Sequence, residues 1–231
     1  MKIRVKFSKT GAMKFIGHLD IMRYFQKALR RADIDVAFTG GYSPHMILSF
    51  AAPIGVGVES LGEYFDLELK TWDSSKEMMR RLNSTMVEGV EILSIIQIPD
   101  GKASKAMSLV AAADYQVSFR EGYVPCENWQ EKFEEFMDRP MITVLKKTKK
   151  TEQEMNIRPL IHQYHIDADR IFMQVSTGSA MNLKPDLVME AFYEYLDAQW
   201  NPLSVMVTRL EVYAETENGF VSLESLGDII E

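Results

Sequence analysis

Two histidines stand where an imidazole can do proton chemistry. His18 opens the stretch "HLDIMRYFQKALRRA" (18–32), and His45 closes the turn "GGYSPH" (40–45). Histidine changes charge near neutral pH, so either residue suits a general acid or base, for instance in RNA cleavage or modification. A helix-to-strand turn needs a glycine or a proline and rarely both. Here Gly41 permits an unusual backbone angle, Pro44 stiffens the turn, and His45 is held at a defined place. A turn that only seats His45 against the core, or a hydrogen-bonded structural His18, would read the same way. His162 and His165 in "IHQYHI" (161–166) are a weak metal-ligand pair without a third ligand at the usual spacing, so no metal is expected. Cys126 is the only cysteine, which excludes an internal disulfide and any Cys-ligated zinc or iron–sulfur centre within one chain.

Cations form the second candidate group. At about 100° per residue, Ile21, Met22, Phe25, Ala28, Leu29 and Ala32 share one arc of the 18–32 stretch. Arg23, Lys27, Arg30 and Arg31 share the opposite one, a surface for RNA phosphates or simply a solvated helix face. Lys146 and Lys147, in "KKTKK" (146–150), suit a phosphate contact or a hairpin tip. The net charge is −7, yet residues 1–50 carry nine Lys/Arg against three Asp/Glu, leaving 17 against 30 for the rest. That local sign matters more for a partner surface than the total. Lys2, Arg4 and Lys6 are expected to face Tyr64, Asp66 and Glu68 on a neighbouring strand, giving opposite-charge pairs. "GVGVESLG" (55–62) precedes a strand and lacks a P-loop lysine, so it reads as a hairpin connection.

These residues need elements to hold them. "KIRVKFSK" (2–9) alternates as a half-buried strand; the 18–32 helix follows, with Gly17 as N-cap and Asp20 able to reach back to it. Strands are expected at 46–54 and 62–70, a helix at 73–87 capped by Asp73 or Ser74, and a strand at 90–98. A Pro-Asp-Gly turn and small residues (99–113) read as a connection. The plan recurs as strand 114–120, helix 127–138, strand 141–149, an irregular section, strand 170–177, helix 185–199 from Pro185, and strand 204–215. The fold class expected is α+β, two tandem ferredoxin-like (βαββαβ) domains with antiparallel sheets. They span 1–98 and 114–215, and the acidic tail 216–231 has no clear place in either sheet. The composition is ordinary for a soluble protein, with 46% apolar and 26% charged residues. No apolar run reaches the ~18 residues of a membrane span, and the N-terminus lacks a secretory pattern, so a cytoplasmic protein without a membrane partner is expected.

"KFSKTGAMKFIGHLDIMRYFQKALRRADI", "GGYSPHMILSFAAPIGVGVESLGEYFDLEL" and "KKTEQEMNIRPLI" resemble the radical-SAM-linked domain family of unknown function. The likeness is specific over residues 2–70 and looser beyond. In that family the helix entrance usually reads Ser-His-Leu-Asp: Gly17 replaces the serine, while His18, Leu19, Asp20 and Arg23 match. The turn usually reads Gly-Phe-Asn-Pro-His-Pro: Gly41, Pro44 and His45 match, Tyr42 and Ser43 differ mildly, and Met46 replaces the last proline. Asn156 stands where an acid is usual. The resemblance implies a radical-SAM partner of the cobalamin-binding type, which would carry the cluster, with no cofactor on this chain. Three readings follow: an accessory substrate-binding module presenting RNA to that partner, an acid–base enzyme using His18 or His45, and a protein-binding scaffold.

Overall fold

The structure is a computed structural model that describes residues 1–101, 104–147, 152–179 and 181–231; the side chains of 146, 147, 152 and 153 lie outside the described set. The chain forms two compact units, Met1–Ala112 with Arg209–Glu231, and Ala113–Thr208. Most strands join a large, mostly antiparallel sheet of nine, so the class is α+β. No helix among the described residues is long and apolar enough to cross a membrane.

The first unit begins with β1 (Lys2–Lys9), α1 (His18–Arg31), β2 (Leu48–Ala51), β3 (Glu59–Glu68), α2 (Ser75–Asn83) and β4 (Val90–Gln97). The order is β4-β1-β3 with β2 on the other edge of β3, and each of these pairings is antiparallel. Alternation does the work in β1. Ile3, Val5 and Phe7 are buried and pair across to Leu67, Phe65 and Glu63. α1 lays Ile21, Phe25, Ala28 and Leu29 on that face, with the Phe25 ring 4.6 Å from Phe7 and 4.8 Å from Phe65. Such aromatic packing contributes beyond area burial, by about 0.5–1.5 kcal/mol per pair. Ser74 caps α2 by accepting from the Glu77 N–H, and Met78 and Leu82 are buried beneath it.

The other face of this sheet carries charge. Lys2, Arg4 and Lys6 stand opposite Glu68, Asp66 and Tyr64, the register expected from the alternation. Arg4, 1% exposed, donates to both Asp66 oxygens (2.9 and 3.3 Å), to the Leu223 carbonyl (3.1 Å) and to the Ser104 carbonyl (2.7 Å). Ser104 and Ala106, from the stretch read as a connection, thus belong to the first unit: the Ala106 N–H, at the start of α3 (Ala106–Leu109), also donates to Asp66 (2.7 Å). Lys6 Nζ lies 2.6 Å from Glu211 and 2.6 Å from Glu224, and the Tyr64 hydroxyl donates to Glu211 (2.7 Å). Burial pulls the Lys6 pKa down, but these two carboxylates outweigh it and hold the ammonium above the ordinary lysine range.

Residues 216–231, which as sequence have no place in a sheet, are part of this unit. β10 (Val205–Thr216) pairs with β11 (Gly219–Ser222), Leu223 and Ile230 are buried, and Asp228 bridges Gln97 on the edge of β4. Burial of Leu223 and Ile230 and the pairing of charge both hold the segment there. Tyr64 and Asp66 cannot by themselves neutralise the cations of β1, and Glu211 and Glu224 complete the pairing.

The second unit contains β5 (Val110–Phe119) from residue 113, α4 (Trp129–Met137), β6 (Thr143–Lys147), β7 (Glu152–Asn156), β8 (Ile161–Asp167), β9 (Arg170–Ser176), α5 (Pro185–Tyr195) and residues 205–208 of β10. Its order is β10-β5-β9-β8. Here the structure corrects the strand expected at 141–149. Among the described residues β6 pairs only with β7, in a separate two-stranded ribbon, residues 148 and 149 of that expectation lying outside the described set, and the place beside β9 belongs to β8, in the section read as irregular. β8 is polar because it ends the sheet path: a strand with one open edge needs only Ile161, Tyr164 and Ile166 turned toward apolar neighbours. Phe133, Phe136 and Phe192 form the aromatic core between α4 and α5.

Candidate functional site

α1 starts at Gly17, whose extended backbone caps the helix without a side-chain hydrogen bond. Asp20 does not reach back to it; its carboxylate accepts from Arg23 (3.3 Å) instead. The exposed His18 ring meets Phe50 of β2 edge-on, 5.2 Å between centroids. His45 sits in a closed turn. Phe38 bridges Met46, and the Thr39 N–H donates to the His45 carbonyl (2.9 Å). At the exposed tip, Gly41 takes φ +98°, the left-handed region glycine tolerates, with Pro44 three residues on. The Thr39 hydroxyl accepts from the His45 N–H (3.1 Å) and lies 3.1 Å from Nδ1, so its own proton can go to Nδ1 and leave the imidazole N–H on Nε2.

The two histidines do not meet. Phe50, against which His18 packs, lies five residues beyond His45 along a nearly extended path, roughly 16 Å of chain. They mark opposite ends of β2. His45 borders a cleft of about 210 Å³ with Lys2, Asp66, Glu68, Ser104 and Lys105. His162 and His165 are likewise separate: His162 Nε2 is 2.9 Å from Ser176 Oγ, and His165 stacks on Phe172 at 4.6 Å. Among the described residues no group of three or more His, Cys, Asp or Glu is placed to hold a metal ion.

Arg23, Lys27, Arg30 and Arg31 are all exposed along one side of α1, opposite Ile21, Phe25 and Leu29. Arg23 has the surface pair with Asp20; for Lys27, Arg30 and Arg31 no carboxylate lies within ion-pair distance among the described residues. An exposed i,i+3 pair holds its cation weakly, by about 0.2–1 kcal/mol. Lys146 and Lys147 belong to β6, and their side chains lie outside the described set.

Beneath the entrance of α1 lies a polar group that the sequence reading passed over. Lys9, 3% exposed, donates to the Ile16 carbonyl (3.4 Å), and burial pushes its pKa down against the pull of Glu63. Glu63 is paired with Arg209, which also donates to the Ala52 carbonyl (2.7 Å). Lys9 has the parity of Ile3, Val5 and Phe7, the one signal that points it inward. A second cleft, of about 580 Å³, opens beside the C-terminal end of α1, with Arg30, Asp33, Asp35, Trp72, Asp73 and Arg81 on its walls.

A crystal structure of an unknown protein from Galdieria sulphuraria is similar over 95% of this chain and 98% of that one, at 12% identity and a TM-score of 0.26, too slight a likeness to carry an argument. No curated protein matches the chain. Residues 2–185 match the DUF2344 family, so most of the first unit and much of the second fall within it. By that match the chain belongs to DUF2344, a family described as uncharacterized proteins conserved in bacteria.

Proposed function

We propose that this chain is an accessory module that binds RNA and presents it to a radical-SAM protein of the cobalamin-binding type. The observation that carries the RNA reading is the contrast between its two sets of cations. Arg4 is buried and Lys6 half-buried, and both are neutralised by Asp66, Glu211 and Glu224, whereas Lys27, Arg30 and Arg31 stand exposed on α1 without carboxylate partners among the described residues. Unneutralised charge on a rigid helix suits a polyanion. The radical-SAM partner rests on the sequence resemblance and on the single cysteine, Cys126, which cannot hold a cluster alone.

The scaffold in this reading is a tandem of ferredoxin-like domains. The orders β4-β1-β3-β2 and β10-β5-β9-β8 support it, with the β6–β7 ribbon as an insertion in the second. A second reading, acid–base catalysis by His45, draws on the Thr39 hydroxyl that orients its ring beside a cleft.

The test is the salt dependence of binding to single-stranded RNA for the wild type and the Arg23→Gln/Lys27→Gln/Arg30→Gln variant. Losing three phosphate contacts makes the slope of log K against log salt shallower by about 2, and weakens binding to every sequence. The fold survives because these side chains lie opposite the buried face of α1. Unchanged affinity and slope would remove nucleic acid from this helix and leave the protein-binding scaffold. Turnover that disappears in His45→Ala or His18→Ala, with RNA affinity intact, would favour the enzyme.

A further inference from the structure

The cationic side of α1 runs into the 580 Å³ cleft, a volume within the range of small-ligand sites. Three separated segments build it: Arg30 with the turn Asp33–Asp35, then Thr71–Asp73, then Arg81 of α2. Arg81 ties these together, donating to the Asp73 carboxylate and to the Asp33 carbonyl (3.1 Å), and the Thr71 hydroxyl donates to Asp35 (3.0 Å). Two groups on the walls stay open. Trp72 is 49% exposed, a large aromatic surface left to solvent. The Asp33 carboxylate has no hydrogen bond or ion pair among the described residues.

Asp33 departs from local preference twice. It takes φ +55° just past the end of α1, where glycine is the usual residue, and it puts a carboxylate at the negative end of the helix dipole. Such departures concentrate at functional positions.

The wall chemistry describes one ligand. A flat ring stacks on Trp72, an anionic group meets Arg30, and a carboxylate asks for N–H donors. Guanine offers adjacent N1–H and N2–H groups that match the two oxygens of one carboxylate; uracil, cytosine and adenine interrupt the donor edge with an acceptor. We infer that this cleft seats one unstacked guanine of single-stranded RNA, its ring on Trp72, its Watson–Crick edge on Asp33 and its phosphate at Arg30. The inference rests on the RNA reading of α1 and adds the base.

Fluorescence anisotropy with a ten-nucleotide oligouridine, and with the same oligonucleotide carrying one central guanosine, tests it. The wild type should prefer the guanosine-containing strand by roughly 5- to 150-fold, the discrimination of one bidentate base contact. Asp33→Asn should lose that preference, and Trp72→Ala should weaken the binding of both strands, because every base can stack, while the salt slope set by α1 stays the same in each. Binding without a preference, or a preference that survives Asp33→Asn, overturns the guanine cleft and leaves α1 as the RNA contact. If neither strand binds, the RNA reading fails, and a titration of tryptophan fluorescence with guanosine and uridine monophosphates decides the cleft. Quenching by the guanosine nucleotide alone, abolished in Asp33→Asn, retains it as a nucleotide site; its absence removes it.

Discussion

Replacing Arg4 with Met tests whether the charged face of the first unit is held by one buried pair. Arg4 is 1% exposed, and among the described residues Asp66 retains only the Ala106 N–H once the guanidinium is gone. Breaking a buried pair from one side costs about 3–5 kcal/mol, because a desolvated charge is left behind. The carbonyls of Ser104 and Leu223 also lose their donor. For a chain of this size the melting temperature should fall by roughly 6–20 °C. Thermal unfolding followed by circular dichroism measures this, and a cycle with Asp66→Asn isolates the pair. Because Arg4 anchors Leu223, hydrogen exchange should quicken at residues 219–231 before it does in α1. A loss below about 1 kcal/mol, within the range of an exposed surface pair, would refute the reasoning.

Two further outcomes follow from the same face and its covering segment. A Cβ on Gly227 would lie 2.2 Å from the Gln97 carbonyl, so Gly227→Ala should destabilise by about 1–3 kcal/mol and expose residues 226–231 to protease; an unchanged digestion pattern would count against the close packing. Tyr64 is pushed up from its ordinary value of 10.0, chiefly by burial and then by Glu211, and Lys6 is held above 10.5. Both keep their protons in the folded state, so their stabilisation is complete below pH 10 and is lost as pH rises beyond it. Tyr64→Phe should reduce the fall in unfolding free energy above pH 10 by about 1.4 kcal/mol per pH unit in urea titrations, and an identical slope would contradict this.

The parts legible in the sequence are those set by neighbours along the chain. Alternation of Ile3, Val5 and Phe7 marks β1, the arc of Ile21, Phe25 and Leu29 marks α1, and Ser74 marks its cap on α2. The opposition of Arg4 and Asp66 followed from pairing two alternating strands. What escaped depends on distant partners. β8 was hidden because a strand at the end of a sheet path carries polar residues that look like loop, and the role of Glu224 depends on Lys6, 218 residues earlier. His18 and His45 were visible as candidates, but their separation is decided by the course of β2 between them. The cleft at Trp72 had no local signal, since Arg30, Asp33, Trp72 and Arg81 come from three stretches that only the fold brings together.

The division of β10 between the units has a consequence for synthesis. Residues 113–208 are continuous, so the second unit has its whole sequence before the first has its own. Lys6 waits 205 residues for Glu211, roughly 10–40 s at about 5–20 residues per second on the ribosome. During that interval Lys6 lacks both of its carboxylates, whereas Arg4 already has Asp66 and the Ser104 carbonyl. A nascent chain paused after Thr208 would hold Lys6 without either carboxylate, and the arrival of Glu211 and then Glu224 supplies the missing charge.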